Sequence, residues 1–265
     1  MPTPQHDPDP HRFADLFTTT IDAAPVHFVR PSDTNRPSWV AYEDAHYLGT
    51  LHARVDTDGT WCIQATQEQH ERLDDAVRAL RRPPTWSDDR EQVRQWARSA
   101  LGDPQLLILD LQTSGLADPW AVQIGLTDRH GTALIDETIN PLAEIDPTAS
   151  VLHGMTADTL ATAPPFSALL PDLGRVLHGR RCLMYNAAFD QGVLRRELQR
   201  HYRDPEKATA WLDRATWEDA MRPYATWIGL WAAHRHGYRY QPLGSTYNAI
   251  ANCRRLLATL ARMSR

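Results

Sequence analysis

The chain has 265 residues, 42% hydrophobic and 23% charged, with a net charge of −5. That composition is ordinary for a soluble globular protein, and no apolar run approaches the ~18 residues a membrane span needs. Residues 1–100 carry 11 Arg against 16 acidic residues, while residues 101–265 balance 17 basic against 17 acidic, so no global basic field exists to drive non-specific nucleic-acid binding.

Residues 1–24 begin polar and Pro-rich, without the basic start and apolar stretch of a signal peptide, and read as a disordered tail. Residues 25–66 are rich in β-branched and aromatic residues and are divided by turn signals such as Asp56-Thr57-Asp58-Gly59, which predicts an antiparallel sheet of three or four strands. Leu73, Ala76, Val77 and Leu80 recur at helical spacing over 67–82, and Pro83-Pro84 ends that helix. A second helix over 88–101 presents Val93, Trp96, Ala97 and Leu101. Residues 25–102 are therefore expected to form a small α+β domain, and they hold no catalytic cluster.

From residue 103 strands alternate with helices. An apolar run, Leu106-Leu107-Ile108-Leu109, climbs to Asp110 and ends in Gln112-Thr113-Ser114-Gly115. This is how a buried strand delivers a carboxylate to the edge of a sheet. Strands over 120–127 and 132–139 flank the turn Asp128-Arg129-His130-Gly131 and complete a meander. Thr156 is an N-cap candidate for a short helix over Ala157–Leu160, and another helix covers 165–178. A fourth strand is expected from Arg181, a helix from Ala187 to about Arg203, and a fifth strand over 208–212. A Trp-rich helical stretch spans about 215–235, broken at Pro223, and a last helix spans about 246–262. Cys62, Cys182 and Cys253 have no zinc or redox spacing and read as free thiols in a reducing cytosol.

Four ordered pieces carry a resemblance: Asp110-Leu111-Gln112-Thr113-Ser114-Gly115-Leu116, His153-Gly154-Met155-Thr156, Asn186-Ala187-Ala188-Phe189-Asp190 and Tyr247-Asn248-Ala249-Ile250-Ala251-Asn252. Their order and spacing resemble the DEDDh (DnaQ-like) 3′–5′ exonuclease family, over roughly residues 104–262. The resemblance implies a ribonuclease H-like α/β fold, a mixed five-stranded sheet flanked by helices over 103–265, preceded here by the small α+β domain. It implies metal-dependent phosphodiester hydrolysis, in which four carboxylates hold two Mg²⁺ or Mn²⁺ ions about 3.5–4 Å apart and a histidine removes the proton of the attacking water.

Carried over by position, Asp110 and Asp190 keep the catalytic carboxylates, while Gln112 stands for the Glu, Tyr247 for the His and Asn252 for the last Asp. Each change removes a charge or a base, since a phenol titrating near ~10 is a poor base at neutral pH. The expectation is weak or absent cleavage, with at most a weak metal site at Asp110 and Asp190. Thr113, Gly115, Leu116 and Asn186 match the pocket that receives a terminal 3′ nucleotide, which makes a single-stranded 3′ end the expected partner. Arg195, Arg196, Arg200 and Arg203 form a candidate phosphate-tracking stripe, with Glu197 placed to pair with Arg200. Trp211, Trp217, Trp227 and Trp231 are read as core. His234, His236, Glu218 and Asp219 are the residues that could replace lost ligands. Two alternatives stand beside this reading: an active exonuclease with an altered metal site, and an interaction protein whose first domain binds a protein partner. The expected location is cytoplasmic, with no membrane role.

Overall fold

The computed structural model describes residues 14–32, 37–54, 60–232, 235–244 and 246–265. The turn at 56–59, His234 and the first thirteen residues of the expected tail lie outside them. The described chain divides into two compact units, one running to Asp89 and including Ile228–Arg239, the other comprising Arg90–Trp227 and Tyr240–Arg265. The division falls at residue 89 rather than 102, and a segment near residue 230 belongs to the first unit.

The first unit is an antiparallel meander of β1 (Leu16–Ile21), β2 (Ala24–Val29), β3 (Ser38–Glu43), β4 (His46–Arg54), β5 (Thr60–Ile63) and β6 (Gln69–His70), in sequential order. β1 corrects the expected tail: the Pro-rich start ends before Leu16, and from there the burial alternates along the strand until Ile21 is buried. Phe17 stacks on Phe28 with ring centroids 4.6 Å apart, and Trp39 meets Trp61 edge-on at 5.8 Å. The helix expected over 67–82 is α1 (Leu73–Leu80), shortened because Gln69 and His70 pair with β5 and Arg72 is an extended N-cap. Its Arg78 reaches Asp22 at 2.8 Å, and the neighbouring Arg81 bridges Asp22 and Glu43, tying helix to sheet.

α2 (Trp86–Gly102) leads to the second unit, where β7 (Leu107–Thr113), β8 (Ala121–Asp128) and β9 (Ala133–Thr138) form the expected meander. Then come α3 (Pro147–His153), α4 (Ala157–Leu160), α5 (Phe166–Leu177), β10 (Arg181–Met184), α6 (Ala187–Tyr202), α7 (Pro205–Leu212), β11 (Thr216–Asp219) and α8 (Met221–Ile228). The two-residue strands β12 (Trp231–Ala232) and β13 (Gly237–Tyr238) pair within the first unit, and α9 (Ala249–Met263) closes the chain. The sheet order is β11-β10-β7-β8-β9, with β11, β10 and β7 parallel and β8 and β9 antiparallel.

Three sequence readings are corrected here. Residues 208–212 are helix, because Asp204 caps the N–H groups of Glu206 and Lys207 and Pro205 sits in the first turn, where its missing donor costs nothing. The fifth strand is β11, at the start of the stretch read as helical; α8 then carries Pro223 early in its length. A helix, α3, occupies a segment before Thr156 to which the sequence pattern assigns no element.

Strand alternation sets up the site. Leu107, Leu109 and Leu111 join one core with Phe166 and Leu173 of α5 and Val193 and Leu198 of α6. Leu106 and Ile108 face the opposite core, with Cys253, Leu256 and Leu260 of α9. Asp110 and Gln112 continue that second face toward α9, which lies close because β8 has Gly125. A Cβ there would stand 2.6 Å from the Ala249 carbonyl carbon and 2.7 Å from the Ile250 nitrogen. Gly125→Ala is therefore expected to cost ~1–3 kcal/mol, as overpacking does, and to lower Tm by roughly 2–4 °C per kcal/mol. Gly192→Ala on α6, with nothing within 4 Å of the added carbon, should instead gain up to ~1 kcal/mol; thermal unfolding of the two variants checks both signs.

Candidate functional site

The C-terminal ends of the parallel strands β7 and β10 open into a cavity of about 670 Å³, lined also by α3, the start of α6, residues 242–244 and the residues that precede and begin α9. Open α/β sheets present ligand crevices at this edge. Asp110, Gln112, Thr113, Gly115, Leu116, Asp190, Tyr247 and Asn252 all line it, so most of the residues chosen by motif converge in space.

Each is placed by a local device. Asp110 and Gln112 lie two residues apart on one face of β7. Asp190 sits in the first turn of α6, 4% exposed, and accepts the Leu111 N–H. Asn252 is held by the start of α9, where Asn248 caps the Ala251 N–H at 2.9 Å and Gln123 of β8 accepts the Ala249 N–H at 3.0 Å. Tyr247 precedes α9 rather than lying on it, since Asn248 is the extended cap and Tyr247 takes φ +52°. It is 41% exposed at the cavity and leaves it open. Leu116, 86% exposed, stands at the same cavity.

The centre is a carboxylate held by two amides. Gln112 Nε2 donates to Asp110 Oδ2 at 2.8 Å, and Asn252 Nδ2 donates to the same oxygen at 3.1 Å. The Asn252 orientation is set by its other end, where Oδ1 accepts the Thr246 N–H at 3.1 Å. Burial pushes the Asp110 carboxyl up to about 7, against the pull of the Asn252 and Gln112 hydrogen bonds. Asp190 is raised well above the usual carboxylate range by burial and then by the neighbouring charge of Asp110; the Leu111 N–H offsets this in part. Burial and like charge together favour the protonated form of such a pair.

This donor set does not fit the pair of divalent cations that the sequence resemblance implies. Two dications need concentrated anionic oxygen, and the four ligand positions supply two carboxylates and two amides. The amides turn N–H toward Asp110, and the Asn252 oxygen already accepts from Thr246. Among the described residues no group of three or more His, Cys, Asp or Glu is placed to hold a metal ion.

The proposed replacements are engaged elsewhere. Glu218 accepts from Trp96 at 3.0 Å and Arg181 at 2.7 Å, and Asp219 accepts the N–H groups of Ala187 and Arg222, each at 3.1 Å. His236 belongs to the first unit. His153 lines the cavity but is not poised as a base: Met155 N–H donates to Nδ1 at 3.0 Å, which places the proton on Nε2, and that proton goes to the Thr113 carbonyl at 3.2 Å. Burial lowers its pKa and keeps it neutral.

Asn186 is not among the lining residues. It forms the left-handed corner, φ +63°, that starts α6. Two arginines of the candidate stripe have partners within the unit. Arg196 binds the Pro119 carbonyl and Asp118, each at 2.9 Å, while Arg200 binds the Pro141 carbonyl at 2.6 Å and buried Glu197 at 2.5 Å and lies 4.0 Å from the centroid of the Trp120 ring. These two groups pin loops to α6. Trp211 is 5% exposed, Trp217 packs on the same core and Trp227 stacks on Tyr224, so these three are core as expected.

The sequence reading passed over Asp146, Leu152 and residues 242–244, which also line the wall. Asp146-Pro147 carried a usable signal, an N-cap residue followed by Pro at the first helical position. Residues 242–244 carried none; their place is tied to the end of β10 by a hydrogen bond from the Tyr185 hydroxyl to the Gln241 carbonyl.

No family model matches the chain. A curated relative, the uncharacterized exonuclease CP81 of Escherichia phage 186, is 23% identical over 186 residues, which span 65% of this chain and 94% of the relative. Similar solved structures include exonuclease X in complex with 5′ overhanging duplex DNA (22% identity, TM-score 0.41, 60% of this chain and 90% of that one). Others are an exonuclease I from Methylocaldum szegediense (19%, 0.42, 59% and 40%) and the RNase domain of the yeast Pop2 protein (14%, 0.38, 68% and 81%).

The raised Asp110 pKa makes stability fall with pH. Between about pH 4 and pH 7 the folded state keeps a proton that the unfolded chain releases, so the burial penalty grows across that window and is complete above it. Asp110→Asn removes the penalty; its gain over the parent should rise from near zero at pH 4 to on the order of 4 kcal/mol at pH 8, read as the difference in urea-unfolding free energy at each pH.

Proposed function

We propose, for a chain whose second unit has the ribonuclease H-like fold of the DnaQ-like exonucleases, that it binds nucleic-acid ends and does not hydrolyse them at an appreciable rate. The observation that carries this reading is the Asp110 carboxylate receiving N–H bonds from both Gln112 and Asn252. Those amides stand where acidic ligands would concentrate charge, and they satisfy Asp110 without a cation. Among the described residues no imidazole at the cavity is available as a base, since Tyr247 is a phenol and His153 is committed to Thr113 and Met155. Removing a single general base typically costs a factor of ~10²–10⁴, and here the metal ligands are altered as well.

Binding is supported by what remains at the cavity. Its volume is within the range of small-molecule sites, and Thr113 keeps the turn closed by donating to the Gly115 carbonyl at 2.8 Å. Leu116 projects as an exposed apolar side chain that gains by packing against a base. Among the described residues no helix is long and apolar enough to cross a membrane. The three cysteines are free and buried, which supports the cytoplasmic location proposed here.

A labelled single-stranded oligonucleotide incubated with the protein and Mg²⁺ or Mn²⁺ should keep its length. Robust shortening that Asp110→Ala abolishes would falsify the reading. Combining Gln112→Glu, Tyr247→His and Asn252→Asp should restore metal-dependent, stepwise shortening of the same strand. Leu116→Ala should weaken oligonucleotide binding about tenfold, the equivalent of ~1.4 kcal/mol, with no change in Tm because the side chain is exposed; anisotropy titration and thermal unfolding separate the two effects.

A further inference from the structure

The basic periodicity of α6 ends at a second cavity, of about 240 Å³, whose walls include Leu142, Ser167, Glu197, Arg200, His201 and Arg203. It shares no lining residue with the cavity at Asp110. Asp190 lies in the first turn of α6 and Arg203 is its C-cap, so ~20 Å of helix, at about 1.5 Å per residue, separates the two.

The charges of this second cavity do not cancel. Glu197, the one acid among its described lining residues, is 1% exposed and already used: Oε1 accepts the Ala121 N–H at 3.1 Å and Oε2 accepts from Arg200 at 2.5 Å. Arg200 thus has its counter-charge, and the Pro141 carbonyl holds it further. Arg203 has none. Its guanidinium makes no hydrogen bond, ion pair or ring contact with any described residue. Beside it stand the Ser167 hydroxyl, also without a hydrogen-bond partner among the described residues, and the His201 ring, which packs on Tyr202. A guanidinium fork with a hydroxyl and an imidazole is a donor set suited to a tetrahedral oxyanion. Ser167 belongs to the first turn of the twelve-residue α5, so the positive pole of that helix reinforces a preference that the unbalanced Arg203 already sets. The volume is below the ~300–1,000 Å³ of sites for whole small molecules, which favours a phosphate group over a complete nucleotide.

We propose that this cavity is a second, cationic site of the chain that binds one phosphate group, with Arg203 as its main ligand and Ser167 and His201 as accessory donors. The site goes beyond the end-binding reading and does not depend on it. Two sources carry the same chemistry: an internal phosphate of a strand, and free orthophosphate or a phosphate monoester.

The test titrates orthophosphate into the full chain by calorimetry, at constant ionic strength balanced with chloride. The parent should bind it saturably. Arg203 takes a left-handed corner, φ +50°, that asparagine adopts readily, so Arg203→Asn deletes the cation and keeps the fold; it should weaken the phosphate Kd at least ~10-fold. Ser167→Ala should weaken it ~2–10-fold and carries the test if Arg203→Asn does not fold. Arg195→Gln removes the same charge from an exposed position of the same helix outside the cavity and should leave the Kd within about twofold, since exposed charges are screened. No saturable phosphate binding by the parent, or an equal loss in Arg203→Asn and Arg195→Gln, overturns the proposal.

A labelled single strand with hydroxyl ends then separates the sources. Binding that Arg203→Asn weakens about tenfold and that orthophosphate competes away supports a strand phosphate. Strand binding indifferent to both overturns that source and leaves the site to free phosphate or a monoester. Failure of the parent to bind any strand removes the end-binding reading, while the orthophosphate titration still decides this one.

Discussion

One oxygen atom, Oδ2 of Asp110, ties the second unit together at its edge. It takes a hydrogen bond from a neighbour on its own strand, Gln112, and another from Asn252, 142 residues later on the last helix. Both contacts require α9 to lie against β7 and β8, and Gly125 permits this by having no side chain under Ala249. Gln123, two residues earlier on β8, then accepts the Ala249 N–H and fixes where the helix begins. A buried carboxylate left without partners would be costly; here two amides supply the donors that solvent or a cation would supply.

That substitution changes the electrostatic character of the whole cavity. Four carboxylates would repel one another strongly and would need bound cations to coexist. Two carboxyls with two amides form a less repulsive set, and burial raises the pKa of both Asp110 and Asp190. The surroundings agree. His153 is neutral and hydrogen-bonded at both ring nitrogens, and Glu218 and Asp219 are taken up by Trp96, Arg181 and backbone N–H groups. Arg196 and Arg200, the cations nearest in the sequence pattern, hold loops in place. The geometry is that of a self-contained polar cluster under an open apolar cleft.

Much of this was readable from residue order where local signals were strong. The apolar climb to Asp110, the turn at Asp128–Gly131, the Thr156 cap and the periodicity of α6 each specify their elements with short-range physics, and β7, β8, β9, β10, α4, α5 and α6 lie close to where the pattern places them. Errors arose where two local signals competed. Residues 208–212 look strand-like alone, but Asp204 and Pro205 commit them to helix. The Pro-rich start hid a strand at Leu16–Ile21, whose stability comes from pairing with β2 and from Phe17 stacking on Phe28. The arginines of α6 show basic periodicity, but their partners, the Pro119 and Pro141 carbonyls, are 77 and 59 residues away.

Residue order alone sets which chemical groups meet at the site: the carboxyls of Asp110 and Asp190, the amides of Gln112 and Asn252 and the phenol of Tyr247. It placed four of the five strands of the second unit as well, because strand alternation and turn chemistry are short-range. Only the tertiary structure decided how those groups are used. Which way each amide turns, whether His153 is available, whether Tyr247 blocks the cavity, and which arginines are committed all depend on partners distant in the chain. A hydrogen bond is directional and falls off within a fraction of an ångström; no spacing rule along the sequence encodes it until the helix, the strand and the loop between them have been brought to one place.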